Sequence, residues 1–244
     1  SGKLTTEQVG NALSNVYAIV IKTALKAAIL EIESERGKEV STNMSIIAMG
    51  RFGGFELGYG SDADVLFVHE PKKDAEQQDA EKCALDIANR VRTLLMQPST
   101  DPALEIDADL RPEGKNGPLV RTLDSYLSYY QKWSAPWEAQ ALLRAQPVAG
   151  DLKVGEKFME GINKTRYPEN GVSEENLREI RRIKARMESE RLPRGADINL
   201  NTKLGRGGLS DVEWVVQLLQ MQHGHKEQSL RITATLPALR ACVS

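Results

Sequence analysis

Two aspartates, Asp62 and Asp64, stand two positions apart at the start of an apolar run and directly follow Ser61. In an extended strand, side chains two residues apart point to the same face, so we expect the two carboxylates to lie close together. Neighbouring carboxylates repel each other, and a hard divalent cation removes that repulsion. Because Mg²⁺ prefers a few carboxylates together with phosphate oxygens, the pair is predicted to bind a metal ion and a phosphorylated ligand.

A third carboxylate belongs to a later segment of alternating residues. From Leu104 to Leu110, apolar side chains alternate with Glu105, Asp107 and Asp109, which predicts a half-buried strand with one acidic face. Three carboxylates around two ions are typical of enzymes that catalyse in-line displacement at phosphorus. The residues predicted to be catalytic and metal-binding are Asp62, Asp64 and Asp107. The alternation alone leaves Glu105 and Asp109 open as the third ligand.

A glycine-rich segment, residues 50–60, lies between the apolar run Met44 to Met49 and the aspartate pair. Glycines permit a sharp turn, and such a turn exposes backbone N–H groups that can face phosphate oxygens. The segment is not a Walker loop, because no Gly-Lys-Ser/Thr follows, nor a dinucleotide-binding fingerprint, because it leads to a strand. The residues predicted to bind the phosphates of a nucleotide are Gly50, Arg51, Gly53, Gly54 and Ser61.

Two further basic positions allow two interpretations each. Arg111 follows the acidic segment, and a phosphate contact or an ion pair with Glu105 or Asp109 would suit it equally well. A second glycine-rich loop, residues 205–208, carries basic neighbours and precedes a helix, so it could bind an anion. The acids that follow this loop favour a simple connection between helices.

The elements that must position these residues form a helix, then a strand-rich core with helices, then an all-helical region. Apolar residues recur at helical spacing over residues 7–35, and Gly37 is expected to end that helix. Buried strands are predicted at 44–49 and 65–68, and a second helix at 79–96. Past Gly150 the strand pattern ends. The fold class is therefore predicted to be α+β, a strand-rich core with helices followed by a helical domain.

This order predicts three parts of the chain. Residues 1–36 form an N-terminal helix that packs on the core, residues 37–150 form the domain that carries the aspartates, and residues 151–244 form a helical domain that we expect to continue beyond the last residue. The 244 residues, with 41% hydrophobic content, suffice for one large domain or two small ones.

Composition limits the classes of partner and compartment. The net charge of −2 provides no basic field to gather nucleic acid, so no nucleic-acid partner is expected. No membrane is expected either, because no uninterrupted apolar run reaches the roughly 18–20 residues of a spanning helix. Two distant cysteines, Cys83 and Cys242, argue against a zinc site built on Cys-x-x-Cys. Both fit a reducing cytoplasm.

Four segments resemble bacterial glutamine synthetase adenylyltransferases, a family that also includes the adenylyl-removing activity. They are residues 50–57, 61–64, 107–112 and 203–208, and the resemblance runs from Met44 to Leu239. Residues 51–54, 59–64 and 137–144 resemble more closely the C-terminal, adenylylating unit of the actinobacterial type. The resemblance implies the nucleotidyltransferase-superfamily fold, a mixed sheet with helices followed by a helical domain. It also assigns metal binding to Asp62, Asp64 and Asp107. Asp109 stands where family members have arginine, and Arg51 stands where lysine is also common.

The same resemblance implies transfer of AMP from ATP to a tyrosine of glutamine synthetase, which regulates nitrogen assimilation in the cytoplasm. It implies Mg²⁺, as two ions, with Mn²⁺ as an alternative, and the PII signalling protein as a regulator. Two other functions stay open: phosphorolytic removal of AMP from glutamine synthetase, and a non-catalytic module that binds nucleotide or PII. Three mutually repelling carboxylates argue against the module, because without chemistry they have no use.

Overall fold

A 31-residue helix precedes a small sheet, and shorter helices follow it. The structure is a computed structural model and describes residues 2–98, 103–190, 197 and 200–243. The α-helices and strands assigned in it are, in chain order, α1 (Thr6–Arg36), β1 (Thr42–Ala48), α2 (Gly50–Gly53), β2 (Ala63–Pro71), α3 (Gln77–Leu95), β3 (Ile106–Asp107), β4 (Val120–Thr122), α4 (Leu123–Lys132), α5 (Pro136–Leu142), β5 (Gln146–Gly150), α6 (Leu152–Gly161), α7 (Asn163–Arg166), α8 (Glu174–Glu190), α9 (Leu209–His223) and α10 (Thr235–Ala241). This combination confirms the predicted α+β class.

The sheet is mixed. Its strand order is β3-β2-β1-β5, and β4 pairs with β2 farther along that strand than β3 does. β1 runs antiparallel to both β2 and β5, whereas β3 and β4 run parallel to β2. The mixed sheet predicted from the sequence is thereby confirmed.

β2 has two faces of opposite character at its start. Ala63, Val65 and Phe67 are fully buried in the core cluster that includes α1 and α3. Because side chains alternate along a strand, Asp62 and Asp64 emerge on the opposite face. Burial of one face thus fixes the face on which the two carboxylates stand.

Helix α1 has well-formed ends. Thr5 and Gln8 form a capping box: the Gln8 N–H donates to Thr5 Oγ1 at 3.2 Å, and the Thr5 N–H donates to Gln8 Oε1 at 2.8 Å. Gly37 ends the helix with a left-handed φ of +64°, as predicted. Near that end Arg36 donates two hydrogen bonds to Asp79 of α3, at 2.8 and 2.6 Å. These bonds, which hold the pKa of the Asp79 carboxyl below its ordinary value, tie α1 to α3.

The same helix bears on the expectation that no membrane is involved. An 18-residue window of α1 has a mean hydropathy of 1.5, so this helix is long and apolar enough to cross a membrane by length and composition alone. The sequence analysis did not single out this helix, because polar and charged residues interrupt its apolar run. In the structure Ile21, Leu25 and Ile32 of α1 are buried in the core cluster. Mostly buried core helices of soluble proteins and signal sequences near the N-terminus meet the same two criteria.

The predicted strand from Leu104 to Leu110 is wrong over most of its length. Only Ile106–Asp107 pairs with β2, and the chain turns at once after it. The Arg111 N–H donates to the carbonyl of Ala108 at 3.2 Å, which closes that turn. Leu104 and Ala108 are nevertheless buried, so alternation predicted the inward side chains but not the length of the strand.

Two short strands were not predicted. β4 has three half-buried residues and β5 has five residues that are half-buried or exposed, so neither shows the apolar run or clear alternation by which a strand is recognised. Pro147 in β5 is a further signal against a strand. β5 pairs with β1 across an irregularity between Ile46 and Ile47, which accommodates this edge.

The described chain divides into two packing units. Unit 1 comprises residues 1–133 and 144–162, and unit 2 comprises residues 134–143 and 163–244. Within unit 1, α6 packs on β1 and β5; within unit 2, α5 packs on α8 and α9. The three ranges 1–36, 37–150 and 151–244 stay a prediction about domains. All residues of the candidate site described below belong to unit 1.

Candidate active site

Three carboxylates gather at one end of β2. Asp62, Asp64 and Asp107 each offer one oxygen, and these three oxygens lie within 4.8 Å of one another. Asp62 is exposed, and the other two are half-buried. The structure therefore brings together the three acids that the sequence analysis selected.

Strand register explains how residues more than forty positions apart meet. β2 and β3 pair in parallel with Ala63 opposite Ile106 and Asp64 opposite Asp107. The Ala63 N–H donates to the carbonyl of Glu105 at 2.8 Å, which fixes this register. In a parallel pair, opposite residues point to the same face. The Asp107 side chain thus emerges beside that of Asp64.

The two other acids of the later segment have different surroundings. The Asp109 carboxylate lies 3.4 Å from Arg111 Nη1 and 3.2 Å from Lys115 Nζ, and it is outside the three-carboxylate group. The Asp109 backbone N–H instead donates to Asp107 Oδ1 at 2.7 Å, which orients Asp107. Glu105 lines an adjoining cavity. The geometry therefore favours Asp107 as the third member.

Arg111 has an internal role. Its buried guanidinium donates to the carbonyls of Gly117 at 3.1 Å, Ala108 at 2.9 Å and Lys115 at 3.2 Å. These bonds, with the longer contact to Asp109, hold the turn that follows β3. Of the two interpretations left open for Arg111, the structure supports the internal one.

The first turn of the glycine-rich segment is helix α2, and Gly50 begins it. Gly50 has a left-handed φ of +52°. A Cβ built on it would lie 3.0 Å from Asp64 Cγ and would overlap Asp64 Oδ2. The Met49 N–H donates to the backbone carbonyl of Asp64 at 2.8 Å. Glycine at position 50 thus lets the backbone approach the carboxylate directly.

The next two glycines shape the same turn. A Cβ on Gly53 would overlap the carbonyl oxygen of Arg144 and lie 2.8 Å from that of Ala48. The Gly54 N–H donates to the carbonyl of Gly50 at 3.2 Å, and the Gly53 N–H is likewise bonded within the turn. The backbone donors of both glycines are therefore occupied by the protein itself.

Ser61 and Arg51 keep donors available. Ser61 Oγ accepts a hydrogen bond from the Gly58 N–H at 3.2 Å, so its own O–H is free to donate. The half-exposed Arg51 side chain has no hydrogen bond or ion pair with a residue that the structure describes. Both groups can therefore bind an anion without breaking an internal bond.

A cavity of about 430 Å³ opens beside Asp62 and Asp107. Arg92 and Lys115 also line it, and Arg92 is shared with a neighbouring cavity of about 700 Å³ that follows the end of α3. The exposed Arg92 side chain forms no ion pair with any carboxylate in the described ranges. Sequence reasoning missed Arg92, because nothing in its surroundings distinguishes it from other charges on the polar face of a helix.

The second glycine-rich loop, in unit 2, satisfies its own donors. The Gly207 N–H donates to Asp211 Oδ2 at 2.7 Å, and Lys184 forms a close ion pair with the same carboxyl. Lys184, and then the Gly207 N–H, hold the pKa of Asp211 below its ordinary value. Ser210 Oγ donates to the carbonyl of Lys203. This arrangement supports the interpretation of the loop as a connection between helices.

Comparisons with known proteins place the chain among its relatives. A family model described as glutamate-ammonia ligase adenylyltransferase matches residues 1–161, and a model described as GlnD PII-uridylyltransferase matches residues 178–243. The chain is also similar to curated proteins named bifunctional glutamine synthetase adenylyltransferase/adenylyl-removing enzyme. The one from Streptomyces avermitilis is 58% identical over 233 residues, which are 96% of this chain and 23% of the relative. Those from Nocardia farcinica and Mycobacterium tuberculosis are each 56% identical, over 98% of this chain and 24% of the relative. The chain thus spans about a quarter of the length of the curated relatives it matches.

Proposed function

The chain belongs to the glutamate-ammonia ligase adenylyltransferase family, and on this basis we propose that it transfers AMP from ATP to a tyrosine of glutamine synthetase. The tyrosine oxygen attacks the α-phosphorus, the bond to the bridging oxygen breaks, and pyrophosphate leaves. The single observation that carries the proposal is the cluster of Asp62, Asp64 and Asp107. Enzymes of this family use ATP, typically with Mg²⁺.

The donor set fits a hard divalent ion. With ligand distances near 2.1 Å, two oxygens bound to one Mg²⁺ lie about 3–4.2 Å apart. Small rotations bring carboxylate oxygens that lie within 4.8 Å of one another into that range. When bound, such ions neutralise the carboxylates and polarise the α-phosphate. We propose two Mg²⁺ ions, with Mn²⁺ able to replace them, held by Asp62, Asp64 and Asp107.

The glycine-rich segment would receive the donor nucleotide. In the proposed complex Gly50, Arg51 and Ser61 contact the phosphates, while Gly53 and Gly54 shape the turn that presents them. The close approach of Gly50 to Asp64 supports this arrangement, because phosphates near that backbone also lie next to the metal ligands. Arg51 and the Ser61 hydroxyl contribute a charge and a donor.

The acceptor would enter from the other side of the carboxylates. In-line displacement requires the attacking oxygen and the leaving oxygen to lie on opposite sides of the phosphorus. The cavity beside Asp62 and Asp107 therefore accommodates the tyrosine, and Asp107 takes the proton of its hydroxyl. Arg92 and Lys115 on the cavity wall would attract acidic residues next to that tyrosine.

The opposing activity, phosphorolytic removal of AMP, is the second candidate: phosphate attacks the α-phosphorus of the AMP-tyrosine, the bond to the tyrosine oxygen breaks, and ADP leaves. It needs a similar carboxylate cluster, and the relatives' printed name includes an adenylyl-removing enzyme. The resemblance of residues 137–144 to the adenylylating unit favours transfer. The match of residues 178–243 to a PII-uridylyltransferase model is distant and supports PII only as a proposed regulator. We further propose that the protein is soluble and acts in the cytoplasm with glutamine synthetase.

Three parallel variants test the proposal: Glu105→Gln, Asp107→Asn and Asp109→Asn. Each removes one charge of the later segment at nearly constant size. We expect AMP transfer to glutamine synthetase to fall by a factor on the order of 10² or more in Asp107→Asn, as for loss of a general base or of a metal ligand in the transition state. ATP binding should persist through Asp62, Asp64 and the glycine-rich segment. Labelled ATP and glutamine synthetase measure transfer, and calorimetry measures binding.

The neighbours serve as matched controls. Near-normal transfer by Asp107→Asn, with loss in Glu105→Gln or Asp109→Asn, would show that the third carboxylate was assigned incorrectly. Phosphate-dependent release of ADP from adenylylated glutamine synthetase, without transfer from ATP, would establish the removal activity instead. ATP binding with neither reaction would indicate the non-catalytic module.

A further inference from the structure

The N-terminal half of α1 contacts the loop that joins α2 to the aspartate pair. The first contact is at Gly10, where a Cβ would lie 3.1 Å from Glu56 Cα and 3.3 Å from the carbonyl oxygen of Phe55. The absence of a side chain therefore lets the helix lie directly on the loop backbone. Phe55 itself has a left-handed φ of +55°, a conformation that a phenylalanine keeps only when its surroundings impose it.

Two side chains, one and two turns farther along, reach the same loop. Ser14 Oγ is buried and accepts a hydrogen bond from the Leu57 N–H at 3.4 Å. The Tyr17 hydroxyl donates to the carbonyl of Ser61 at 3.1 Å, and its ring meets Phe52 edge to face with centroids 6.3 Å apart. One face of α1 thus holds the loop at its start and at its end.

The Ser61 carbonyl belongs to the peptide unit that continues into Asp62. That unit is planar and contains the Asp62 Cα, so a hydrogen bond to the carbonyl oxygen restricts the orientations open to the plane. The Asp62 side chain is exposed and has no hydrogen bond or ion pair with another described residue. The position of the Asp62 carboxylate is therefore set mainly by the Asp62 backbone.

We propose that Tyr17 is a positioning residue for the metal cluster: its hydroxyl orients the Ser61–Asp62 peptide and thereby sets the affinity for a divalent ion together with ATP. This inference rests on the proposed function of the three carboxylates. It makes metal binding depend on α1, which lies outside both the aspartate motif and the glycine-rich segment.

Tyr17→Phe removes the hydroxyl and keeps the ring. We expect ATP binding in Mg²⁺ to weaken about threefold to tenfold, the range for losing one hydrogen bond, and ATP binding in EDTA to change less than about twofold. Calorimetry measures both. Hydrogen exchange of the amides from Gly58 to Asp62 should also rise, because the loop loses its tether. Tyr126→Phe is the matched control, since the buried Tyr126 hydroxyl has no hydrogen-bond partner among the described residues.

A double-mutant cycle with Asp62→Asn shows whether Tyr17 acts through Asp62. If it does, Tyr17→Phe has little further effect on Mg²⁺-dependent binding once Asp62 has lost its charge. A lower melting temperature with unchanged Mg²⁺-dependent binding would mean a purely structural role and would overturn the inference. An undiminished effect in the Asp62→Asn background would overturn it as well. If the wild-type chain binds no Mg²⁺–ATP, the proposed function fails, and hydrogen exchange still decides whether Tyr17 holds the loop.

Discussion

Replacing Gly50 by alanine should lower both the stability of the protein and its affinity for the metal ion, and a control glycine distinguishes the two effects. Position 50 has a φ of +52°, and a Cβ there would lie 3.0 Å from Asp64 Cγ and overlap Oδ2. The left-handed backbone costs an alanine roughly 1–2 kcal/mol. The overlap is relieved when the Asp64 carboxylate turns off its rotamer, at about 0.5–1.5 kcal/mol. The free energy of unfolding should therefore fall by about 1.5–3.5 kcal/mol.

Metal binding by Gly50→Ala should weaken as well. A carboxylate that has turned away from the new methyl group no longer points at the space it shares with Asp62 and Asp107. Loss of an outer-shell partner alone typically lowers metal affinity about 10–100-fold, and Asp64 is proposed as a direct ligand. We therefore expect Mg²⁺-dependent ATP binding by Gly50→Ala to weaken by at least about tenfold. Urea unfolding measures stability, and calorimetry with Mg²⁺ or EDTA measures binding.

Gly37→Ala provides a control with nearly the same backbone strain and no overlap. Gly37 has a φ of +64° at the end of α1, and a Cβ there would meet nothing within 4 Å. It should lose roughly 1–2 kcal/mol of stability and bind Mg²⁺–ATP as the wild type does. The reasoning is refuted if Gly50→Ala keeps wild-type Mg²⁺–ATP binding, or if Gly37→Ala loses as much of it.

Two further predictions concern the acceptor and pH. Arg92→Ala should raise the KM for glutamine synthetase about tenfold, as expected for losing roughly 1.4 kcal/mol of binding, with ATP affinity unchanged. The control is Arg90→Ala, because the Arg90 guanidinium pairs with Glu31 and Glu35 on α1 and its loss should change neither quantity. Equal effects in both variants would contradict the assignment of the cavity to the acceptor. Burial lowers the pKa of His69 below 6.5, so the imidazole takes up a proton more readily in the unfolded chain than in the folded one. The stability that neutral His69 contributes is therefore complete above pH 6.5 and falls as the pH drops from there toward the lowered pKa. Urea unfolding of His69→Gln between about pH 5 and 7.5 should lack that part of the pH dependence, and an unchanged slope would exclude His69 as its source.

Much of the carboxylate cluster could be predicted from alternation, which left Glu105 and Asp109 open beside Asp107; the family resemblance then favoured Asp107. Alternation placed Asp62 and Asp64 on one face of a strand. The apolar residues that alternate with Asp107 showed which face of the later segment is buried and which carries the acids. The length of β3 could not be predicted, since the turn after it depends on Arg111 reaching carbonyls up to Gly117. Arg92 was missed because a cavity is formed by elements that are distant in sequence. A charged residue on the polar face of a helix does not indicate from the sequence that it lines a cavity.

Tyr17 was missed for a related reason, and it shows what an aspartate motif leaves unspecified. Residues 50–60 contain five glycines, and such a segment loses much conformational entropy when it is fixed. Its internal bonds, such as that between Gly58 and Ser61, shape the loop but do not locate it relative to β3. α1 can locate it because its C-terminal half is anchored on α3 through Arg36 and in the core through Leu25. A continuous helix transmits that anchorage to Tyr17, so the position of the Asp62 carboxylate depends on α1 as well as on the pairing of Ala63 with β3.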